Sequence, residues 1–304
     1  MNSTATVPVK QSLSVTVRVN RKLHWAWALP VFAVVWTVVF VLTEPDPAAA
    51  LRQHWAIIPI GFCSGVVANI SALGGGIVAI PAMMFLLGYS PIVALKTTIG
   101  TQSIGMSIGS ISWLRTGNLP VRAIKYAVPG LLIGSSISSE IIHANAMIIK
   151  GIFGPVSIVL GILALATLRQ RNGEREDIPD EARLPLFLVS IIGGLITGWI
   201  AIGEGEVIAA MLMIVYGVSP KRSIALGVVL LCINSIYLML NHVMFLGGVP
   251  WQIVLYNIGG AMFGAWITPR LAKHLNLRVM KIIFANIAIL DGILFMYQCS
   301  RAGH

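Results

Sequence analysis

Two consecutive apolar runs, long enough to enter a bilayer but interrupted by three successive glycines, constrain this chain more than anything else in it. The stretch reads GFCSGVVANISALGGGIVAIPAMMFLLGYSPIVALKTTIGTQ from Gly61 to Gln102. The same design returns 129 positions later, GGLITGWIAIGEGEVIAAMLMIVYGVSPKRSIALGVV from Gly193 to Val229. Placed without a gap, the copies match at Gly65/Gly194, Ala72/Ala201, Gly74/Gly203, Gly76/Gly205, Val78/Val207, Met84/Met213, Gly88/Gly217, Ser90/Ser219 and Pro91/Pro220. Matches concentrated on Gly, Ser and Pro mark an internal duplication. Interrupted apolar segments at corresponding places in two halves are the sequence pattern of a membrane carrier's binding region.

Of the 304 residues, 57% are hydrophobic and 11% charged, where a soluble domain carries about 25% charged residues. The chain is therefore an all-α polytopic membrane protein. The net charge of +10 is spread over short loops, which fits the positive-inside bias and argues against a nucleic-acid surface. Cys63, Cys232 and Cys299 lie in apolar runs without C-x-x-C spacing, so they read as small buried hydrophobes. No cofactor and no metal cluster is expected, and the leader lacks the short core and cleavage site of a signal peptide.

In order, residues 1–23 are a basic cytoplasmic leader. Residues 24–54 form an extra N-terminal transmembrane helix, with its span at Trp25–Thr43 and an outer loop at Glu44–His54. Residues 55–168 are the first transmembrane repeat, 169–183 a cytoplasmic linker, 184–298 the second repeat, and 299–304 a C-terminal tail. Each repeat is read as a broken or re-entrant hairpin followed by three spans, the latter at Pro91–Leu114, Val121–Ser138 and Ala146–Leu168, then Pro220–Phe245, Trp251–Ile267 and Val279–Tyr297. If the basic loops at Arg115–Arg122, Arg169–Arg183, Lys221–Arg222 and Arg270–Arg278 share the cytoplasmic side, the two hairpins must enter from opposite sides. Two inverted-topology repeats follow from that count. The expected home is the inner membrane, multi-pass, with a cytoplasmic N-terminus and an outer C-terminus, in contact with lipid; a homodimer is compatible.

Opposed hairpins would bring Gly74, Gly75 and Gly76 towards Gly203 and Gly205 near mid-bilayer. Irregular backbone is tolerated there only against protein or a cavity, and half-helix N-termini attract anions. Small residues also let helices pack closely, but duplication beside intramembrane charges favours a site. Lys96, Thr97, Thr98, Thr101 and Gln102 follow the first tip and supply a charge and several donors for an oxyanion. Lys96 lies five residues from Pro91, so it could equally snorkel from a helix end. Glu204 and Glu206 stand in the second tip; sharing a dry site, they should not both be ionised. They are read as a proton-coupling pair, with cation ligation and capping of tip amides as alternatives. Asp291, Lys150 and His242 carry less signal, and nothing resembles a catalytic constellation.

The doubled pattern resembles the TauE/SafE family of membrane permeases, the sulfite exporter family. It is carried by Gly61, Gly65, Gly74, Gly75, Gly76, Pro81, Gly88, Ser90 and Pro91, and in the second copy by Gly194, Gly203, Gly205, Gly217, Ser219 and Pro220. The resemblance spans about Trp55 to Tyr297. It implies export or uptake of a small sulfur-containing anion (sulfite, an organosulfonate such as sulfoacetate, or thiosulfate) by secondary, ion-gradient-driven transport; with Glu204 and Glu206 read as the proton-coupling pair, the expected carrier is an exporter coupled to protons, with sodium as the other coupling ion. The second tip departs from the pattern, with GEGE in place of the triplet and Ala210 where the first copy has Pro81. A cation or uncharged-metabolite carrier with the glutamates as ligands, and a non-transporting membrane assembly protein, remain the alternatives.

Overall fold

A computed structural model describes residues 28–115, 119–168, 173, 175–274 and 277–302. Those residues form twelve α-helices, with one isolated bridge between Arg175 and Val218 as the β-type pairing. The helices are α1 (Ala28–Thr43), α2 (Pro47–His54), α3 (Ile57–Ser71), α4 (Gly76–Pro81), α5 (Pro91–Arg115), α6 (Val121–Ser136), α7 (Ala146–Thr167), α8 (Arg183–Ile200), α9 (Glu204–Ile214), α10 (Pro220–Asn241), α11 (Trp251–His274) and α12 (Leu277–Ala302). Short π-helical turns extend α4 over Ala82–Leu86, α6 over Ile137–Ile141 and α10 over His242–Leu246.

Among the described residues, four segments are long and apolar enough to cross a membrane: Ala146–Thr167, Asp180–Ile200, Pro220–Leu246 and Lys281–Arg301. A fifth would be the α1–α2 pair, which bends by 107° between Thr43 and Pro47. Helices α5 and α11, of 25 and 24 residues, have the length at ~1.5 Å per residue but a more polar composition. Their polar side chains, among them Thr97, Thr98, Thr101, Gln102 and Asn257, are buried, so the polarity is turned into the bundle and away from lipid.

Glu44–His54, expected to be a loop, instead contains α2. The Asp46 carboxylate accepts from the Ala49 amide at 3.0 Å, and Pro47 occupies the first helical turn, where its missing N–H costs nothing. A helix of eight residues with none buried, lying across the end of α1, replaces the loop.

The duplicated sequence takes the same backbone twice. Helices α3 and α8 both end in a left-handed alanine, Ala72 at φ 58° and Ala201 at φ 54°. Gly74 and Gly203 follow at φ 94° and 106°, and Gly88 and Gly217 at 69° and 63°. Left-handed alanine is strained by roughly 1–3 kcal/mol, yet it recurs at both tips. Packing repeats as well: α3 lies along α11 and α8 along α6, while α7 pairs with α12 and α5 with α10. The first arm of each hairpin therefore packs on a helix of the other half.

The ends of the broken segments are placed by short contacts. The second begins at Arg183, which pairs with Asp180, and finishes where Ser219 N donates to Arg175 O at 3.0 Å. Arg122 approaches Asp177 and Asp180, and Arg222 approaches Glu176 at 3.2 Å. The linker acids thus collect the basic starts of α6, α8 and α10 at one end of the bundle. The first broken segment begins and ends beside α1 and α11, where Ile57, Leu87, Tyr89, Phe40 and Tyr256 pack together. The main apolar core lies between, around Leu73, Ile77, Ile80, Ile99, Phe153, Ile200, Ile202 and Phe295.

Candidate substrate site at the paired tips

The two tips meet. Gly203 N donates to Leu73 O at 3.2 Å, and the backbones are too close for side chains between them. A Cβ on Gly76 would lie 2.7 Å from Ala201 O, and one on Gly205 would lie 2.5 Å from Ala72 O and 2.9 Å from Gly227 O. Glycine is required at both places by the neighbouring backbone. Gly75 is held from the other side, its carbonyl accepting from Ser64 Oγ at 3.0 Å.

Helix α5 runs past this junction. Gln102 Nε2 donates to Ala201 O at 2.9 Å, and Ser235 Oγ of α10 donates to Gln102 Oε1 at 3.2 Å. One side chain therefore ties α5, the second tip and α10. Thr98 and Thr101 hydroxyls donate back to Ala94 O and Thr97 O, both at 2.8 Å, whereas the buried Thr97 Oγ1 has no hydrogen-bond partner among the described residues. Lys96 sits elsewhere: its amine donates to Gly247 O at 2.8 Å, six residues or ~9 Å along α5 from Gln102. Beside Gln102, Ser64, Asn69, Thr101, Gly105 and Met106 enclose a cavity of about 10 Å³, room for about one water. A sulfur oxyanion does not fit in it as it stands.

Glu204 and Glu206 are both fully buried, yet they do not share a site. Two residues on a helix are turned by ~200°. Glu204 Oε2 accepts from Asn234 Nδ2 of α10, and Ser135 Oγ of α6 donates to Asn234 Oδ1 at 2.5 Å; Glu204 Oε1 has no donor. Glu206 faces α12, where Lys281 Nζ lies 3.3 Å from its Oε1. Among the described residues neither Glu206 oxygen has a partner that meets full hydrogen-bond geometry. Lys281 in turn donates to Thr167 Oγ1 of α7 at 2.5 Å.

From Asn234 a polar ladder continues between α6 and α10. Ser136 and Tyr237 hydroxyls are in contact, Tyr237 OH donates to Glu140 Oε1 at 3.4 Å, and Asn241 Nδ2 donates to Ser139 Oγ and Glu140 Oε1 at 3.3 and 3.0 Å. It ends at the exposed Glu140.

The structure thus brings Gly74, Gly75, Gly76, Thr101, Gln102, Gly203, Gly205 and Glu204 to one junction, sets Glu206 just beyond it and leaves Lys96 at a bundle end. Asn234, Ser135, Lys281 and Thr167 escaped the sequence reading. Lys281 was the most legible of them, an ammonium four residues into the apolar α12, just past the basic loop that ends at Arg278.

Buried carboxylates at duplicated broken helices, one of them paired with a partly buried lysine, in a chain of apolar spans, define a membrane transporter. More narrowly, the chain belongs to the family described as Sulfite exporter TauE/SafE, whose pattern matches residues 57–295. Similar curated proteins include "Probable membrane transporter protein YunE" of Bacillus subtilis (strain 168), 23% identical over 268 residues that cover 80% of this chain and 97% of that one. Another is "Probable membrane transporter protein MJ0441" of Methanocaldococcus jannaschii, 26% identical over 219 residues, 67% of this chain and 76% of that one. No solved structure matches the chain significantly.

Proposed function

We propose that this protein is a secondary carrier of a small sulfur oxyanion (sulfite, a sulfonate such as sulfoacetate, or thiosulfate), exporting it across the cytoplasmic membrane in exchange for or together with protons. The observation that carries the reading is the tip junction itself, where two buried carboxylates and a partly buried ammonium stand beside apposed half-helix ends. Ionisable groups at membrane depth are costly and belong to transport paths. The family supplies the substrate class. Glu204 and Glu206 are the proton-accepting groups of this reading, and the tip glycines with Thr97, Thr98, Thr101 and Gln102 flank the substrate path. Lys96 contributes at the path's end, where it holds the Gly247 carbonyl.

The two halves act as an inverted pair. The meeting of Arg175 with Val218 at one end of the second hairpin, and the packing of Ile57 with Tyr89 at the ends of the first, support hairpins that enter from opposite faces. With the basic linker in the cytoplasm, the N-terminus is inside and the end of α12 outside. Parting of the apposed tips then opens the junction to one side at a time. A cation carrier has less support, because Glu204 and Glu206 diverge instead of converging on one ion.

The test is thermal stabilisation of the purified protein by sulfite, sulfate, thiosulfate, sulfoacetate, taurine, phosphate and sodium at two pH values, followed by flux in proteoliposomes. A ligand at ~100 times its Kd stabilises by about 2.7 kcal/mol. The expected result is stabilisation by one sulfur anion that depends on pH, and flux of that anion driven by a pH gradient. Stabilisation by sodium alone would replace the anion reading with the cation one.

A further inference from the structure

We propose that Lys281 is the residue on which the transported oxyanion docks, and that the anion does so by taking the place of the Glu206 carboxylate. The assignment rests on the anion-carrier reading above. It names a ligand outside the tip motif and outside the α5 cluster that the sequence points to.

The geometry of the pair is that of an exchangeable contact. Lys281 Nζ is anchored on one side by Thr167 Oγ1 at 2.5 Å and faces Glu206 Oε1 at 3.3 Å on the other. Glu206 is fully buried, whereas the Lys281 side chain keeps 12% exposure. Both Glu206 oxygens lack hydrogen bonds, although buried polar atoms are normally satisfied. The carboxylate is held chiefly by the Lys281 charge at 3.3 Å. An oxyanion arriving at the ammonium offers the same kind of acceptor and leaves the Thr167 contact in place.

Electroneutrality then links anion to proton. A buried ion pair that loses one partner leaves an uncompensated charge, which is strongly unfavourable. Protonating Glu206 alone would strand the Lys281 ammonium, and adding an anion alone would place two negative charges on one positive one. When a proton binds to a Glu206 oxygen and a monoanion binds to Lys281, one neutral arrangement replaces another. One proton therefore accompanies one monoanion such as hydrogensulfite, with no bond made or broken other than the O–H of Glu206, whereas a dianion such as thiosulfate or sulfoacetate leaves one negative charge over and should bind the pair less tightly.

Among the described residues, the other charges stand apart from this pair. On α9 itself Glu204 is turned away to Asn234. Helix α8 carries Arg183 at its start, paired with Asp180. Helix α10 carries Lys221 and Arg222 at its start, the latter paired with Glu176, and leads to His242 at its far end. On α7 the charge is Lys150, seventeen residues or ~26 Å from Thr167. On α12, Asp291 is ten residues or ~15 Å beyond Lys281, and Arg278 precedes it by three residues at the basic end. Lys281 thus stands between the basic end of the bundle and the tips, on α12, which α9 meets through the Glu206 contact.

The experiment uses the full-length protein in detergent and in proteoliposomes, with sulfite, thiosulfate and sulfoacetate as probes at two pH values. Glu206→Gln should still bind the anion, with an affinity that no longer changes with pH, and its flux should ignore a pH gradient. The double variant Glu206→Gln/Lys281→Met removes both charges together and so keeps the fold; it should lose at least tenfold in anion affinity. The exchanged pair Glu206→Lys/Lys281→Glu keeps the ion pair and should also lose binding. A double variant that elutes and melts like the parent while retaining its anion affinity and pH response would overturn the Lys281 assignment alone. If the parent protein neither binds nor moves any of the three probes at either pH, the carrier reading falls, and this assignment with it.

Discussion

Glu204 and Glu206, two residues apart at the start of α9, are buried to the same extent and face different helices, Glu204 towards Asn234 of α10 and Glu206 towards Lys281 of α12. Helix α9 carries the chain from the tips to Val218 at the basic end, so Glu206 lies on the basic side of Glu204. The ladder from Asn234 leads the other way, to Glu140. The second tip is therefore connected by polar contacts to both ends of the bundle.

Asn234 is the donor that makes burial of Glu204 tolerable, and its own carbonyl is taken up by Ser135. Replacing it with leucine leaves both neighbours unpaired in an apolar interior. Asn234→Leu should lower stability by roughly 2–3 kcal/mol, in the range of hydrogen bonds to charged groups. Glu204→Gln, which retains an acceptor for Asn234, should cost under about 1 kcal/mol. Thermal unfolding of both variants, with the double variant closing the cycle, checks the coupling; equal losses for the two single variants would contradict it.

Glycine at the tip is a matter of backbone contact. Gly205→Ala places its methyl 2.5 Å from Ala72 O and 2.9 Å from Gly227 O. Carbonyls on both sides leave no flexible neighbour to yield, so the tips must separate, at a cost of about 1–3 kcal/mol for overpacking. Gly151 in α7 has nothing within 4 Å of an added Cβ, and Gly151→Ala should be neutral or stabilising by up to about 1 kcal/mol. Melting temperatures that move in opposite directions, or down for Gly205 alone, are the expected result.

Gln102 joins three elements through two hydrogen bonds. In Gln102→Leu the Ala201 carbonyl and the Ser235 hydroxyl lose their partners at the point where the tips meet. Stability should fall by about 1–3 kcal/mol. Because the lost contacts hold the second tip against α5 and α10, hydrogen exchange at residues 201–205 should quicken more than elsewhere. Uniform quickening would mean that Gln102 merely stabilises the fold.

Helix positions were legible in the sequence where lipid contact dictates composition. The run expected at Ala146–Leu168 is α7, Ala146–Thr167, and that at Pro220–Phe245 is α10 with its π-helical turn to Leu246. The glycine breaks were visible too, because left-handed backbone at Gly74 and Gly203 leaves a compositional mark. Helix α2 went unread although Asp46–Pro47 is a capping signal, since proline and charge near a span end also describe a loop. The Lys281–Glu206 and Asn234–Glu204 contacts were beyond sequence reading for another reason. Their partners lie 75 and 30 positions apart, and neither spacing nor periodicity says which face of α9 meets α10 and which meets α12.

The ion pairs at the basic end should matter little for stability, whatever their part in orientation. Asp180 contacts both Arg122 and Arg183 but is 72% exposed, and exposed pairs contribute roughly 0–1 kcal/mol. Asp180→Ala should shift the melting temperature hardly at all. Residue 180 can therefore carry a topology probe. With Cys63, Cys232 and Cys299 replaced by serine, Asp180→Cys and His143→Cys mark the two ends of α6 with its π-helical turn. A membrane-impermeant thiol reagent applied to whole cells should label position 143 and spare position 180 until the membrane is opened. Labelling of both from outside would refute a single crossing by α6; labelling of 180 alone would reverse the orientation drawn from the basic loops.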